Sequence, residues 1–228
     1  MNIQYYLVHG GDEKRKKRLE NEFEKWSFDA SKIKWVLGNN KNDLTTELIK
    51  NIVLQKESIS NGQKTGILDR KGAISCAYKH YLCLKDIVDN NYDYGVIIED
   101  NVFFTDDLPL NIPTYIEQLN NVYGKWDILF NHYNETWAKY DYEKKRDGLF
   151  VYPKSNDINH RCHGGSKSAN CYLLNYNCAK KLYDNFLPFN NAPCAHYNSL
   201  FRKIGIKSFW VEPSYVHFEQ NHVSTTQS

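Results

Sequence analysis

Two adjacent carboxylates and an amide, Glu99-Asp100-Asn101, close the apolar run Tyr94-Gly95-Val96-Ile97-Ile98. Carboxylates at a strand end are costly to bury unless a cation or hydrogen-bond donors satisfy them. One chemistry that meets this need is a divalent metal held by oxygen ligands and bridging the two phosphates of a nucleotide diphosphate. Mg²⁺ or Mn²⁺ would suit, since both favour oxygen and leave positions open for phosphate oxygens. A turn or helix cap at a strand end would use the same three residues. The local sequence does not choose between these readings.

The elements around this motif alternate between strand and helix. Tyr5-Tyr6-Leu7-Val8 reads as a short buried strand stopped by Gly10-Gly11, and Asp12 suits the N-cap of a helix carrying Leu19, Phe23 and Trp26 at helical spacing. A second strand covers 34–37 and ends at Gly38-Asn39-Asn40; 43–61 reads as a helix followed by a loop. From Gly72 to Asn90 the residues Ile74, Ala77, Tyr81, Leu84 and Val88 form a continuous apolar stripe, so a long helix leads into the strand that ends at Glu99. Further strands are expected at 126–130, 170–174 and 208–211, with a helix over 177–186. This order predicts an α/β fold with a mixed, mostly parallel sheet flanked by helices, in one domain over 1–228. In open sheets of that kind ligands sit outside the carboxyl ends of the strands, where Glu99 and Asp100 stand. The polar stretch 139–168 reads as a long loop, and the tail after Val216 as irregular.

Composition narrows the function classes. Lysine plus arginine number 29 against 27 aspartate plus glutamate, a balance unsuited to coating nucleic acid, which rests on many phosphate contacts. The basic run Lys14-Arg15-Lys16-Lys17-Arg18 is the local exception, and its interleaved glutamates fit a solvated helix face. No apolar stretch is long enough to span a bilayer and no secretory leader is visible, so a cytoplasmic protein with reduced thiols is expected. The six cysteines include no CxxC pair and no zinc-like spacing.

Taken in order, the motifs resemble glycosyltransferase family 25, which includes bacterial lipooligosaccharide galactosyltransferases and collagen galactosyltransferases. An opening strand leads into a basic helix, as Tyr6-Leu7-Val8-His9 leads to Arg15 and Arg18. The family's Gly-x-Ile-Gly-Cys-x-x-Ser-His motif is similar to Gly72-Ala73-Ile74-Ser75-Cys76-Ala77-Tyr78-Lys79-His80, and its Leu-Glu-Asp-Asp-Val to Ile98-Glu99-Asp100-Asn101-Val102. Its Trp-Asp-Ile-Leu stands at 126–129, its Ala-Tyr-Leu-Ile strand and following helix resemble 170–182, and its ending resembles 213–224.

The resemblance implies a GT-A type, Rossmann-like fold and an inverting transfer of sugar from a UDP-sugar to a hydroxyl on a glycan or glycoprotein. By position Val8, His9 and Arg15 match the family's nucleotide-contacting edge, and His80 and Glu99 its donor side. Asp100, Asn101 and His217 are the implied holders of Mn²⁺ or Mg²⁺. Three departures weaken that metal: Asn101 replaces the last carboxylate, Ala73 a glutamate, and Ala195 an aspartate. With acidic positions lost, a catalytically silent relative that binds a glycan, nucleotide or protein is the alternative. Glu135 and Asp157 are candidate bases for the acceptor hydroxyl on location alone, and Tyr133, Trp137, Tyr140 and Tyr142 candidate sugar-stacking residues. Asp127, inside a strand pattern, reads as structural.

Overall fold

The computed structural model describes residues 1–26, 28–54, 58–60, 63–65, 67, 70–104, 108–131, 148, 150–154, 169–211, 214 and 216–218. The strands are β1 (Ile3–Val8), β2 (Ile33–Val36), β3 (Ser58–Ser60), β4 (Gln63–Thr65), β5 (Tyr94–Glu99), β6 (Val102–Phe104), β7 (Ile128–Phe130), β8 (Val151–Pro153), β9 (Cys171–Asn175), β10 (Ser208–Val211) and β11 (Val216–Phe218). The described helices are α1 (Glu13–Lys25), α2 (Thr46–Ile52), α3 (Lys71–Asn90), α4 (Leu108–Gln118), α5 (Tyr176–Phe186) and α6 (Pro193–Ile204).

Seven strands form one sheet in the order β2-β1-β5-β9-β7-β10-β8. Strands β2, β1, β5, β7 and β10 run one way; β9 and β8 run the other. The expected mixed, mostly parallel α/β sheet is what forms. Its register brings the chemistry-bearing ends level. Val8 pairs with Val36 on one side and Glu99 on the other, and Ile98 faces Cys171 at the start of β9.

Both faces of the sheet are covered, which is why its strands are continuous apolar runs rather than half-polar alternations. Tyr6, Val8, Ile97, Phe130, Tyr172 and Leu174 join one core with residues of α2, α3, α5 and α6. Their alternate neighbours Tyr5, Leu7, Val96, Ile98, Leu129 and Leu173 join a second core with residues of α1 and α4. The period-two switch of side chains thus divides each strand between two hydrophobic layers.

Local chemistry starts and stops the elements. Gly11 takes φ +93°, a conformation strained for any residue with a Cβ, and delivers the chain to Asp12. The Asp12 carboxylate then accepts the backbone N–H groups of Lys14 (2.9 Å) and Arg15 (3.3 Å), capping α1. Helix α3 ends on Asn91 in the left-handed region, and α6 opens on Pro193 and stops at Gly205.

Three sequence expectations change. The polar stretch 139–168 contains β8, an edge strand antiparallel to β10, because Val151 and Tyr152 bury their side chains there. The edge position tolerates Pro153, which has no amide hydrogen to donate. Apart from 148, 150 and 154, the rest of that stretch lies outside the described residues. The tail does not become irregular at Val216: Val216–Phe218 pairs antiparallel with Val102–Phe104. Beyond α2, the expected loop of the 43–61 segment includes strand β3, which pairs with β4. Helices α4 and α6 have no counterpart among the expected elements; in α4 the internal Pro113 reads as a helix breaker.

Candidate functional site

The carboxyl ends of β1 and β5 meet at a nearly closed ionic cluster. The backbone N–H of Asp100, the residue after β5, donates to the carbonyl of Val8 at 3.1 Å. Its side chain turns toward the β1–α1 connection. Asp100 Oδ2 accepts the Gly10 amide at 2.7 Å and the His9 ring nitrogen Nδ1 at 2.9 Å, while Oδ1 accepts Arg15 Nη1 at 3.1 Å. His9 is 1 % exposed, Asp100 6 % and Arg15 9 %. Burial alone pushes the Asp100 carboxyl up; the His9 ring, the Gly10 amide and the Arg15 charge outweigh it and hold its pKa below the ordinary value. Arg18, one turn along α1, donates to the carbonyls of Asp100 (2.7 Å) and Val102 (2.6 Å) and lies 3.9 Å over the Phe103 ring. Helix α1 thereby clamps the turn at Asp100-Asn101 from outside.

A second tie runs beneath this cluster. Lys79, on α3 and almost wholly buried, donates to the carbonyl of His9 and to Asn40 Oδ1 (2.6 Å). It joins the turn after β1 to the turn after β2. Burial pushes its pKa below the usual lysine value. The His9 ring packs edge-on to Trp35, centroids 5.6 Å apart, and its Nε2 is buried with no hydrogen-bond partner among the described residues.

Beside it lies a group of different chemistry. One turn apart on α3, Cys76 and His80 converge on Glu99: Sγ lies 3.6 Å and Nε2 3.2 Å from Oε1. His80 Nδ1 lies 2.7 Å from the Tyr172 hydroxyl, which in turn lies 2.7 Å from the Tyr197 hydroxyl. Burial, then the charge of Glu99, pushes the Cys76 thiol well up; the same two causes raise the Cys194 thiol. Burial also drives Tyr172 and Tyr197 upward, so both remain hydroxyls.

The sequence profile of glycosyltransferase family 25 (LPS biosynthesis protein) matches residues 10–197. The chain belongs to glycosyltransferase family 25. Among solved structures it resembles A197 from STIV, at 9 % identity and a TM-score of 0.48, covering 98 % of this chain and 97 % of that one. It also resembles a protein titled mannose-1-phosphate geranyltransferase from Thermus thermophilus, at 11 % identity and a TM-score of 0.44, covering 90 % of this chain and 65 % of that one. No curated protein matches it.

The family 25 match takes in Arg15, Cys76, Lys79, His80 and Glu99-Asp100-Asn101 and ends before β10 and β11. Of the residues expected at the site, Val8, His9, Arg15, Glu99 and Asp100 come together at one sheet edge, with His80 directly against Glu99. The Asn101 amide oxygen accepts from Asn170 Nδ2 at 2.8 Å. His217 pairs through its backbone with Phe103, two residues past Asn101. Glu135, Asp157, Tyr133, Trp137, Tyr140 and Tyr142 lie outside the described residues. Asp127, read as structural, accepts from the Lys207 amide (2.8 Å) and Lys181 (3.0 Å), away from this edge. Ala73 packs in the core of α3, where a carboxylate would be buried.

A divalent cation fits poorly at Asp100 and Asn101 in this arrangement. All three side-chain oxygens already accept hydrogen bonds, and Arg15 brings a positive charge within 3.1 Å. Lys79 and Cys76 are the members of the site that sequence reasoning passed over. The i, i+4 spacing of Cys76 and His80 was the available signal, since it places both on one helix face.

Proposed function

We propose that this family 25 chain transfers a sugar from a nucleotide-sugar donor, a UDP-sugar, to a hydroxyl of a glycan or protein, with inversion at the anomeric carbon. The observation that supports this reading is the β1–β5 edge, where a nearly buried arginine and a His9 Nε2 with no partner among the described residues stand beside Glu99. A guanidinium has five donors, and Arg15 commits one nitrogen to Asp100. The rest of its charge is suited to the phosphates of a nucleotide diphosphate. His9 Nε2 is an acceptor left for a donor group of the base or ribose. Asp100 acts as a positioning residue that holds both in place. Glu99, hydrogen-bonded by His80, faces the sugar side, and the base that takes the acceptor's proton is assigned to Glu135 or Asp157.

A second reading draws on the Arg15–Asp100 pair itself. A carboxylate tied up by an arginine, next to an amide at Asn101, also suits a silent relative that binds a nucleotide or glycan without turning it over.

One experiment separates these. UDP release is followed from a panel of UDP-sugars with Mn²⁺, Mg²⁺ or EDTA, for wild type, Arg15→Met and Glu99→Gln. Release from one sugar that survives EDTA and falls in both variants supports transfer driven by the protein's own cations. Release abolished by EDTA restores a role for Mn²⁺ or Mg²⁺, held by Asp100, Asn101 and His217 after Arg15 has moved. No release from any sugar by folded protein, with UDP still raising the melting temperature, favours the silent relative.

A further inference from the structure

We propose that Cys76, His80 and Glu99 form a binding site for one thiophilic divalent ion, Zn²⁺ by chemistry, distinct from any cation at Asp100. The three ligand atoms, Sγ, Nε2 and a carboxylate oxygen, lie within 4.8 Å of one another. Zinc takes sulfur at about 2.3 Å and nitrogen or oxygen at about 2.0–2.2 Å, so a tetrahedral site has ligand–ligand edges of about 3.3–3.6 Å. The nitrogen–oxygen edge here is 3.2 Å and the sulfur–oxygen edge 3.6 Å. Two of the three edges are thus at the size such an ion requires, and the third, sulfur to nitrogen, lies within 4.8 Å.

Its surroundings are those of a ligating histidine. Such a ring is normally oriented by a hydrogen bond at its other nitrogen, which fixes the tautomer. Tyr172 does this at His80 Nδ1, at 2.7 Å, and is itself held by Tyr197. Without an ion, His80 Nε2–H donates to Glu99 and the Tyr172 hydroxyl donates to Nδ1. With an ion on Nε2, Nδ1–H donates to the Tyr172 oxygen, and the Tyr172 hydroxyl turns to Tyr197. Each hydroxyl both donates and accepts, so the pair serves either tautomer.

The charge closes as well. A dication with one thiolate, one carboxylate and a neutral imidazole is formally neutral, which suits a half-buried position. Binding releases the Cys76 thiol proton to solvent, one per ion. Three protein ligands leave a fourth position open where Glu99 and Cys76 are partly exposed, for water or an oxygen of a bound molecule. The thiolate selects against Mg²⁺ and Mn²⁺, so this site and an oxygen-only site at Asp100 take different metals.

The test uses Co²⁺ as a spectroscopic substitute and needs neither donor nor acceptor, so it stands or falls apart from the sugar-transfer reading. Protein stripped by chelator is titrated with Co²⁺. A thiolate-to-cobalt charge-transfer band saturating at one equivalent is expected, reversed by equimolar Zn²⁺ and unaffected by excess Mg²⁺. Cys76→Ser should abolish the band in protein shown to be folded by circular dichroism, while Cys194→Ser keeps it. Tyr172→Phe, which removes only the orienting hydroxyl, should weaken Co²⁺ affinity by about 10–100-fold with the band retained. Absence of the band in folded wild type overturns the proposal. So does a band that survives Cys76→Ser or disappears in Cys194→Ser.

Discussion

The guanidinium of Arg15 and the carboxylate of Asp100 lie 3.1 Å apart although 85 residues separate them in the chain, and each side chain is about nine-tenths buried. The pair joins the first turn of α1 to the end of β5. A buried pair broken from one side leaves an uncompensated charge, at a cost of about 3–5 kcal/mol. Asp100→Asn and Arg15→Met should each lose stability on that scale in urea unfolding.

The same pair predicts a pH signature. The Asp100 pKa is held below its unfolded value, so its contribution is fully present above about pH 4, the unfolded aspartate range. It is lost as pH falls through the lower, folded pKa. The stability gap between wild type and Asp100→Asn should therefore be constant from pH 7 to 5 and narrow below pH 4. A gap independent of pH down to 3 would show that the partners do not hold the Asp100 pKa below its unfolded value.

Lys79→Met should loosen two turns at once. The ammonium ties the His9 carbonyl to Asn40, and both acceptors lose their buried donor in the variant. An unsatisfied buried acceptor costs about 1–3 kcal/mol. Chemical denaturation should register that loss. If the proposed nucleotide edge holds, the melting-temperature rise produced by UDP should shrink beyond what stability accounts for, because Lys79 holds the turn that carries His9. An undiminished UDP response would separate Lys79 from the proposed nucleotide site.

His196 is a second pH-sensitive group, remote from the ionic cluster. On α6, it is mostly buried between the Phe186 and Phe189 rings, with Nε2 donating to the Phe186 carbonyl at 2.8 Å. Burial pushes its pKa below the ordinary value despite that hydrogen bond. The unfolded chain therefore takes up a proton that the folded protein resists. Stability is fully present above about pH 6.5 and declines as pH falls from there toward the folded pKa. His196→Gln should be less stable at pH 7.5, and its melting temperature should fall less between pH 7.5 and 5. Equal slopes in both proteins would sink the assignment.

Among the described residues no helix is long and apolar enough to cross a membrane, in line with the hydropathy of the sequence.

Much of the fold can be read along the chain because its signals are local. Tyr5-Tyr6-Leu7-Val8 and Tyr94-Gly95-Val96-Ile97-Ile98 are apolar runs closed by turn formers or charges, and the stripes of α1 and α3 repeat at helical spacing. The acidic motif at the end of β5 was legible for the same reason: an apolar run followed by two carboxylates marks a strand end. What each carboxylate does there was not legible. Asp100 faces Arg15 and Glu99 faces His80 because the Val8–Glu99 register sets β1 beside β5, and the packing of α3 beneath them brings in Cys76 and His80. Strand β9 runs antiparallel between β5 and β7, and Val151–Pro153 becomes an edge strand, because pairing partners are chosen by the burial of two faces at once. Spacing in the sequence determined which residues could do chemistry at this edge. Only the tertiary structure decided that one carboxylate is held by an arginine while its neighbour meets a thiol and an imidazole, since those contacts span 19 to 85 residues and depend on strand register and helix packing.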